Sequence, residues 1–250
     1  MRSGCDCHQL PGPSSVPDGV TMLRAVIFDM DGVICDSEPL HMKAFQEVLQ
    51  PLGMVMTDQD YYDHYLAFDD RDCFQAVYRA SGQMAPEGKS LQALLDKKAR
   101  AFDALMKEHV VIYPGAEALV KKLSKKYPLA LASGARRLEV EFVLKKAKIR
   151  GLFTAVISAD DVQHGKPHPE SFLKALQVIN ERRLVDTPEI APGECLVIED
   201  SIHGLAAAHT AGMKGAAVTT SYPAEELTGA ATIIESLVGC EVATLEKLFD

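Results

Sequence analysis

The sequence predicts an α/β fold: a doubly wound, mostly parallel sheet with an inserted all-helical unit. Three observations lead to this prediction. From about residue 110 onward, short apolar runs alternate with helical segments, which is typical of βαβ units. An earlier apolar run, residues 25–28, suits a strand buried on both faces. Between these parts, residues 38–109 carry apolar side chains at helical spacing.

Capping residues, prolines and apolar runs place each helix and strand in the sequence. Ser37 or Glu38 is expected to cap the first helix, with Pro39 in its first turn, and Pro51 ends it. Later apolar runs predict strands at residues 129–132, 153–158, 195–198, 216–218 and 231–234. We therefore divide the chain into an α/β core, residues 22–37 and 110–250, and a helical unit, residues 38–109.

Composition narrows the range of functions that the protein could have. The 250 residues are 47% hydrophobic and 24% charged, and the net charge is −9, with a sequence pI of about 5.4. An acidic chain is a poor candidate for binding nucleic acid or anionic membranes. The apolar runs are far shorter than the roughly 20 residues that cross a bilayer. We expect a monomer with no nucleic-acid or membrane partner.

The first residues and the cysteines indicate the cellular location. Residues 1–21 are rich in Pro, Gly and Ser and lack the apolar core of a signal peptide, so we expect a disordered tail or a start-site extension. Cys5 and Cys7 form a lone CxC beside His8, without a second ligand pair of zinc-like spacing. The six cysteines are scattered, which favours a reducing, cytoplasmic location over a disulfide framework.

Two carboxylates stand where the first strand is predicted to end. Asp29 follows the apolar run directly, and Asp31 and Gly32 come next. In open α/β sheets, ligands bind beyond the carboxyl ends of the strands. Such a pair suits a nucleophile with a general acid/base, or a hard-cation site. An Asp-Gly turn without chemistry is the third interpretation, and the pair alone leaves all three open.

Other predicted strand ends carry complementary groups. Ser133 and Gly134 end one strand, Glu199 and Asp200 end another, and Lys166 lies in a Pro-flanked loop between them. A parallel sheet brings these ends to one edge. Acids for a cation, a hydroxyl for phosphate oxygens and a fixed positive charge are the parts that phosphoryl transfer requires.

Four motifs, in this order, make the sequence recognisable. They are FDMDG at 28–32, ASG at 132–134, GKPHPE at 165–170 and IEDS at 198–201. Together they resemble the haloacid dehalogenase superfamily of phosphatases and phosphomutases, over about residues 23–240. The helical unit resembles the cap of that family. The segment DGVICDSEPLH is most similar to the branch of β-phosphoglucomutase and of small sugar-phosphate or phosphoglycolate phosphatases.

The resemblance implies a role for each site residue. Asp29 would be the nucleophile that forms an aspartyl-phosphate, and Asp31 the general acid and base. Ser133 and Gly134 would bind phosphate oxygens. Lys166 would neutralise those oxygens and steady the nucleophile. Taken singly, Ser133 could merely cap a helix and Lys166 could be a surface lysine.

The resemblance also implies a metal. Mg²⁺ would be held by Asp29, by the backbone carbonyl of Asp31 and by Asp200, with water completing the shell. Glu199 would be a fourth acid, either a ligand or a group that orients its neighbours.

Three residues of the helical unit are expected near the substrate. Phe68 and Arg71 would face it, and His41 would lie near the hinge of the unit, where a structural role is the alternative. Mutases of this branch carry a cap lysine at the position that falls at Ala67 here. The acidic run at 58–72 is interpreted as a solvated face.

The predicted function is therefore a Mg²⁺-dependent phosphoric monoester hydrolase acting on a small phosphorylated metabolite. A phosphomutase is the alternative. A dehalogenase would not require Asp31 or Asp200, and a non-catalytic binding protein should have lost a nucleophile or a ligand. Asp31 and Asp200 are both present here, and neither the nucleophile nor a ligand is lost.

Overall fold

A computed structural model describes residues 22–66 and 68–250. Residues 1–21, with the predicted extension and the Cys5/Cys7 pair, lie outside the described residues, as does Ala67. Within the described ranges, none of the helices combines the length and apolar character needed to span a membrane. The strands are β1 Ala25–Phe28, β2 Cys35–Asp36, β3 Val111–Ile112, β4 Leu129–Ala132, β5 Ala155–Ile157, β6 Cys195–Glu199, β7 Lys214–Val218 and β8 Thr232–Ile234.

Six of these strands form one parallel sheet in the order β5-β4-β1-β6-β7-β8. All residues of β1, β4 and β6 are buried, because helices cover both faces of the sheet. Along β1 the side chains alternate: Val26 and Phe28 enter one apolar core, Ala25 and Ile27 the other. The predicted fold class is confirmed.

The helices follow the strands in alternation, as predicted. Their bounds are α1 Glu38–Leu49, α2 Asp58–His64, α3 Asp70–Ala80, α4 Gly88–His109, α5 Ala116–Leu123, α6 Arg137–Lys146, α7 Glu170–Glu181, α8 Ile202–Thr210 and α9 Val242–Glu246. From β1 the chain first adds β4 and β5 on one side, and then β6, β7 and β8 on the other. The order therefore reverses between β1 and β6, the point of such a sheet where ligands bind.

Helices α1 to α4 form a unit with an apolar core of its own. Phe45 and Phe74 meet edge to face in this core, with ring centroids 5.0 Å apart. The chain enters the unit through β2 and leaves through β3, and these strands pair antiparallel, Cys35 opposite Ile112. The sequence did not predict this pair, because two-residue strands have no measurable alternation.

Gly115 lies close to the backbone near Leu237, and this contact can be tested. Its φ of +88° lies in the left-handed region, and an added Cβ would lie 2.4 Å from the backbone carbon of Leu237. Gly53 has a φ of +75° with no atom within 4 Å of the same position. We expect Gly53→Ala to cost about 1–2 kcal/mol through backbone conformation alone. Gly115→Ala should cost more than about 3 kcal/mol, since the backbone near Leu237 must also move. Equal losses in chemical denaturation would contradict this account.

Candidate active site

The predicted strand-end residues meet at the point where the strand order reverses. Asp29 follows β1, while Glu199 ends β6 and Asp200 follows it. Lys166 reaches them from the loop before α7: its Nζ lies 2.6 Å from Asp29 Oδ1 and 2.5 Å from Glu199 Oε1. The three carboxylates are buried. A lysine therefore bridges the acids of the two central strands.

Burial and neighbouring charges shift the pKa values of the residues in this bridge in opposite directions. Burial raises the pKa of Asp29 to about 7, against the lowering effect of Lys166. Burial alone would lower the pKa of Lys166, but Asp29 and Glu199 outweigh it and hold that pKa above its ordinary value. For Glu199, Lys166 and Ser201 outweigh burial, and the pKa is lowered. The Lys166–Glu199 pair is therefore ionised at neutral pH.

Asp31 is held by hydroxyl groups from two directions. Ser37 Oγ donates to Asp31 Oδ1 at 2.5 Å, and Ser133 Oγ lies 3.4 Å from Asp31 Oδ2. Ser37 stands at the N-cap of α1, as predicted, but makes no side-chain capping bond, because its hydroxyl serves Asp31. Burial raises the pKa of Asp31, and these hydrogen bonds oppose it. The carboxyl is thus oriented and biased towards its protonated form.

The donor set fits a hard divalent cation. Asp29, Glu199 and Asp200 are buried, and they place one carboxylate oxygen each within 4.8 Å of the others. Burial, and then Glu199 and Asp29, raise the pKa of Asp200 well above its usual range. Clustered buried acids of this kind are stabilised by added positive charge. Gly32 allows the close approach, since a Cβ there would lie 1.8 Å from Asp200 Oδ2.

Two cavities open beside this cluster. The first has a volume of about 480 Å³ and is lined by Asp29, Lys166 and Asp200, among others. The second has about 530 Å³ and lies between the sheet edge and the helical unit. Asp31 and Gly134 line both. Asp29, Glu199 and Asp200 therefore face one cavity, and the helical unit faces the other.

The sequence-predicted residues of the helical unit divide between two locations. His41 and Phe68 line the second cavity. Arg71 is exposed on α3, one residue after Asp70, and does not belong to the cavity lining. The structure thus brings His41 and Phe68 towards Asp31, while Arg71 remains outside.

Lys98 is a site residue that the sequence reasoning missed. It is 1% exposed, and its Nζ lies 2.6 Å from both Asp70 Oδ1 and His41 Nδ1. Burial and then Lys98 hold the pKa of His41 well below its ordinary value, so the imidazole is neutral and can accept this hydrogen bond. The available signal was spacing: Lys98 stands on the apolar stripe of α4, four residues from Leu94 and from Phe102.

Glu38 is a second residue that was missed as a site group. It lines both cavities and accepts a hydrogen bond from the Tyr61 hydroxyl. Burial raises the pKa of its carboxyl to about 7, against the lowering effect of Tyr61. The sequence placed Glu38 only at a helix start, where an acid is expected for helix-dipole reasons.

Comparison with known proteins identifies the family of this chain. The family model described as haloacid dehalogenase-like hydrolase matches residues 26–218. A phosphorylated carbohydrates phosphatase of Thermotoga maritima is 31% identical over 193 residues, covering 77% of this chain and 83% of the relative. A fructose-1-phosphate phosphatase of Escherichia coli is 31% identical over 188 residues, covering 75% and 92%. A crystal structure from Thermotoga maritima, of a protein assigned as a beta-phosphoglucomutase, superimposes with a TM-score of 0.67 at 27% identity. The match covers 85% of this chain and 94% of that one.

The fold and the acidic strand-end site define a Rossmann-like hydrolase with a helical insertion. The chain belongs to the haloacid dehalogenase-like hydrolase family. The family and the enzyme class that the four motifs predicted, a phosphoric monoester hydrolase, are thereby confirmed.

The Glu38 carboxyl should make the stability of the protein depend on pH. Its folded-state pKa of about 7 lies above its ordinary value of 4.5, so its contribution is complete below pH 4.5 and is lost as the pH rises through 7. Between pH 5 and pH 8 the loss amounts to about 3 kcal/mol at most. Glu38→Gln cannot ionise, and it should therefore gain stability over the parent at pH 8 but not at pH 5.

Urea denaturation at the two pH values measures this difference. Glu47→Gln, an exposed acid on the same helix, is the matched control and should show the same pH dependence as the parent. If Glu38→Gln also followed the parent at both pH values, the carboxyl would not be held neutral.

Proposed function

We propose that this protein is a Mg²⁺-dependent phosphatase of a small, hydroxylated phosphate ester, acting through an aspartyl-phosphate. The observation that carries the proposal is the Asp29–Lys166–Glu199 bridge beside Asp31, where β1 and β6 end. A nucleophilic carboxylate, a second carboxyl poised for proton transfer and a fixed cation are the groups that such a reaction needs.

The residues act in sequence at the phosphorus atom. Asp29 attacks phosphorus, and the ester oxygen leaves with a proton from Asp31. Asp31, now ionised, takes a proton from a water molecule that attacks the aspartyl-phosphate and releases phosphate. Ser133 and the Gly134 amide bind the phosphoryl oxygens, and Lys166 offsets their charge.

The acids Asp29, Glu199 and Asp200, with the backbone carbonyl of Asp31, would hold Mg²⁺. When bound, the ion supplies charge stabilisation to the phosphoryl oxygens. Burial, and then the repulsion from Glu199 and Asp29, raise the pKa of Asp200, and the ion would offset both effects.

The lining of the second cavity supports a hydroxylated leaving group with a single phosphate. Its cations are paired with acids: Lys98 with Asp70 at 2.6 Å, and Arg136 with Asp103 at 2.5 Å and with Glu139. Paired charges offer hydrogen-bonding groups without a net positive field for a second phosphate. Two of the relatives are named for phosphorylated carbohydrates and fructose 1-phosphate, which agrees with this substrate class.

Phosphate release from an aryl phosphate tests the central assignment. With Mg²⁺ present, Asp31→Asn should lower kcat by about 10²–10⁴-fold, the usual contribution of a general acid/base. Asp29→Asn and a chelator should each abolish release. Asp72→Asn, an exposed acid on α3, should leave the rate unchanged. Activity that survives Asp29→Asn in pure protein would refute the proposed nucleophile.

We further propose that Phe68 and Arg71 approach the substrate when the helical unit, residues 38–109, closes over the site as a cap. Arg71→Ala should then change kcat/KM selectivity across a panel of sugar phosphates, because a charged contact to one substrate group is lost. Arg79→Ala, an exposed arginine on the same helix, is the matched control. Unchanged selectivity in Arg71→Ala would show that this arginine lies outside the closed site.

A phosphomutase is the second candidate, favoured by the likeness to the beta-phosphoglucomutase structure at 27% identity. Ala67 stands where mutases of this branch carry a lysine, which weighs against it. Isomerisation of β-glucose 1-phosphate without net release of phosphate would establish the mutase.

A further inference from the structure

Two histidines on the loop that carries Lys166, with the first residue of α7, form a second cluster of groups that could ligate a metal. His164, His168 and Glu170 place one ligand atom each within 4.8 Å of the others. His164 Nδ1 lies 2.9 Å from Glu170 Oε2, and His168 Nδ1 lies 3.9 Å from the same oxygen. Both histidines are exposed, and the proposed reaction uses none of the three.

The distances suit a tetrahedral ion. Zinc binds imidazole nitrogen at about 2.0–2.1 Å and carboxylate oxygen at about 2.0–2.2 Å, which places neighbouring ligand atoms about 3.3–3.5 Å apart. The separations of 2.9 and 3.9 Å bracket this value. Two histidines and one glutamate leave a fourth position for water. Imidazole ligands favour zinc and similar ions over Mg²⁺, which prefers oxygen alone.

The Glu170 carboxylate is oriented by the protein before any ion binds. The backbone amides of Gln163 and His164 donate to the two Glu170 oxygens at 2.9 and 3.0 Å. Outer hydrogen bonds of this kind orient metal ligands. His168 has only a long hydrogen bond in this cluster, 3.3 Å from the Glu170 amide, so little is lost when its Nδ1 turns to an ion. The His164 Nδ1–Glu170 Oε2 hydrogen bond would be exchanged for bonds to the ion, with the imidazole bound as its Nε2–H tautomer.

We propose that His164, His168 and Glu170 form a site for a zinc-class divalent ion, and that its occupancy lowers turnover by acting on Lys166. Lys166 lies two residues from each histidine, and its Nζ lies 2.6 Å from Asp29 Oδ1. An ion that draws His168 and Glu170 together moves the segment that holds this ammonium group. The effect on turnover rests on the proposed function, whereas the binding site itself does not.

Binding is tested on the full chain with Co²⁺ as an absorbing substitute for zinc, in excess Mg²⁺. Cys5→Ser and Cys7→Ser are introduced throughout, so that the CxC pair contributes no ligands. One Co²⁺ per chain with the intense visible bands of a tetrahedral ion is expected, and these bands should vanish in His164→Gln/His168→Gln. The control His109→Gln/His209→Gln removes two exposed histidines elsewhere and should retain the bands. Bands that are absent from the parent, or that persist in His164→Gln/His168→Gln, would overturn the site.

Turnover of an aryl phosphate is then measured with Zn²⁺ against excess Mg²⁺. We expect kcat of the parent to fall roughly tenfold, the scale of outer-shell effects on activity, and His164→Gln/His168→Gln to escape this fall. Co²⁺ binding with unchanged kcat would overturn the regulatory part. If Asp29→Asn remained active while the Co²⁺ bands persisted, the proposed function would fail and the metal site would stand.

Discussion

The constraint on which this sheet edge depends is the placement of three buried carboxylates and one partly buried carboxylate beside one lysine. Asp29, Asp31, Glu199 and Asp200 lie where β1 and β6 end, and burial favours the neutral form of each. Lys166 reverses this for Glu199, whose ionisation then provides a fixed anion for three donors: Ser201 Oγ, and the backbone amides of residues 200 and 201. The remaining negative charge is what a divalent cation would offset. The position of the Lys166 loop therefore acts most directly on the charge of Asp29 and Glu199.

The sequence predicted which residues meet at this edge because the signals that mark them are local. Each motif places a polar residue directly after a buried run, and the parallel-sheet rule then brings distant motifs together. Contacts within the helical unit follow no such rule. Lys98 meets His41 and Asp70 across 57 and 28 residues of chain. Asp70 belongs to the acidic run that was interpreted as a solvated face, and only the packing of α3 against α4 shows that it pairs with a buried lysine.

The connection between the two parts of the chain links Asp31 to the base of the helical unit. The unit is entered and left through the paired strands β2 and β3. Ser37 follows β2, precedes α1 and donates to Asp31, while Tyr113 follows β3 and lines the first cavity. The orientation of the Asp31 carboxyl is thus tied to the base of the helical unit. A movement of α1 relative to the sheet would change the hydrogen bonds that bias its protonation.

Under the proposed function, chemistry and selectivity would come from different layers of the molecule. The sheet edge supplies the acids and the lysine, whose positions follow from strand register. The second cavity is lined largely by the helical unit. There Lys98 is hydrogen-bonded to Asp70 and His41, and burial raises the pKa of Glu38 to about 7, so that its carboxyl is partly protonated near neutral pH. A protonated Glu38 can donate as well as accept a hydrogen bond. Under the proposed function, such a lining would suit hydroxyl groups better than a second phosphate, because hydroxyls need directed partners and no net positive charge.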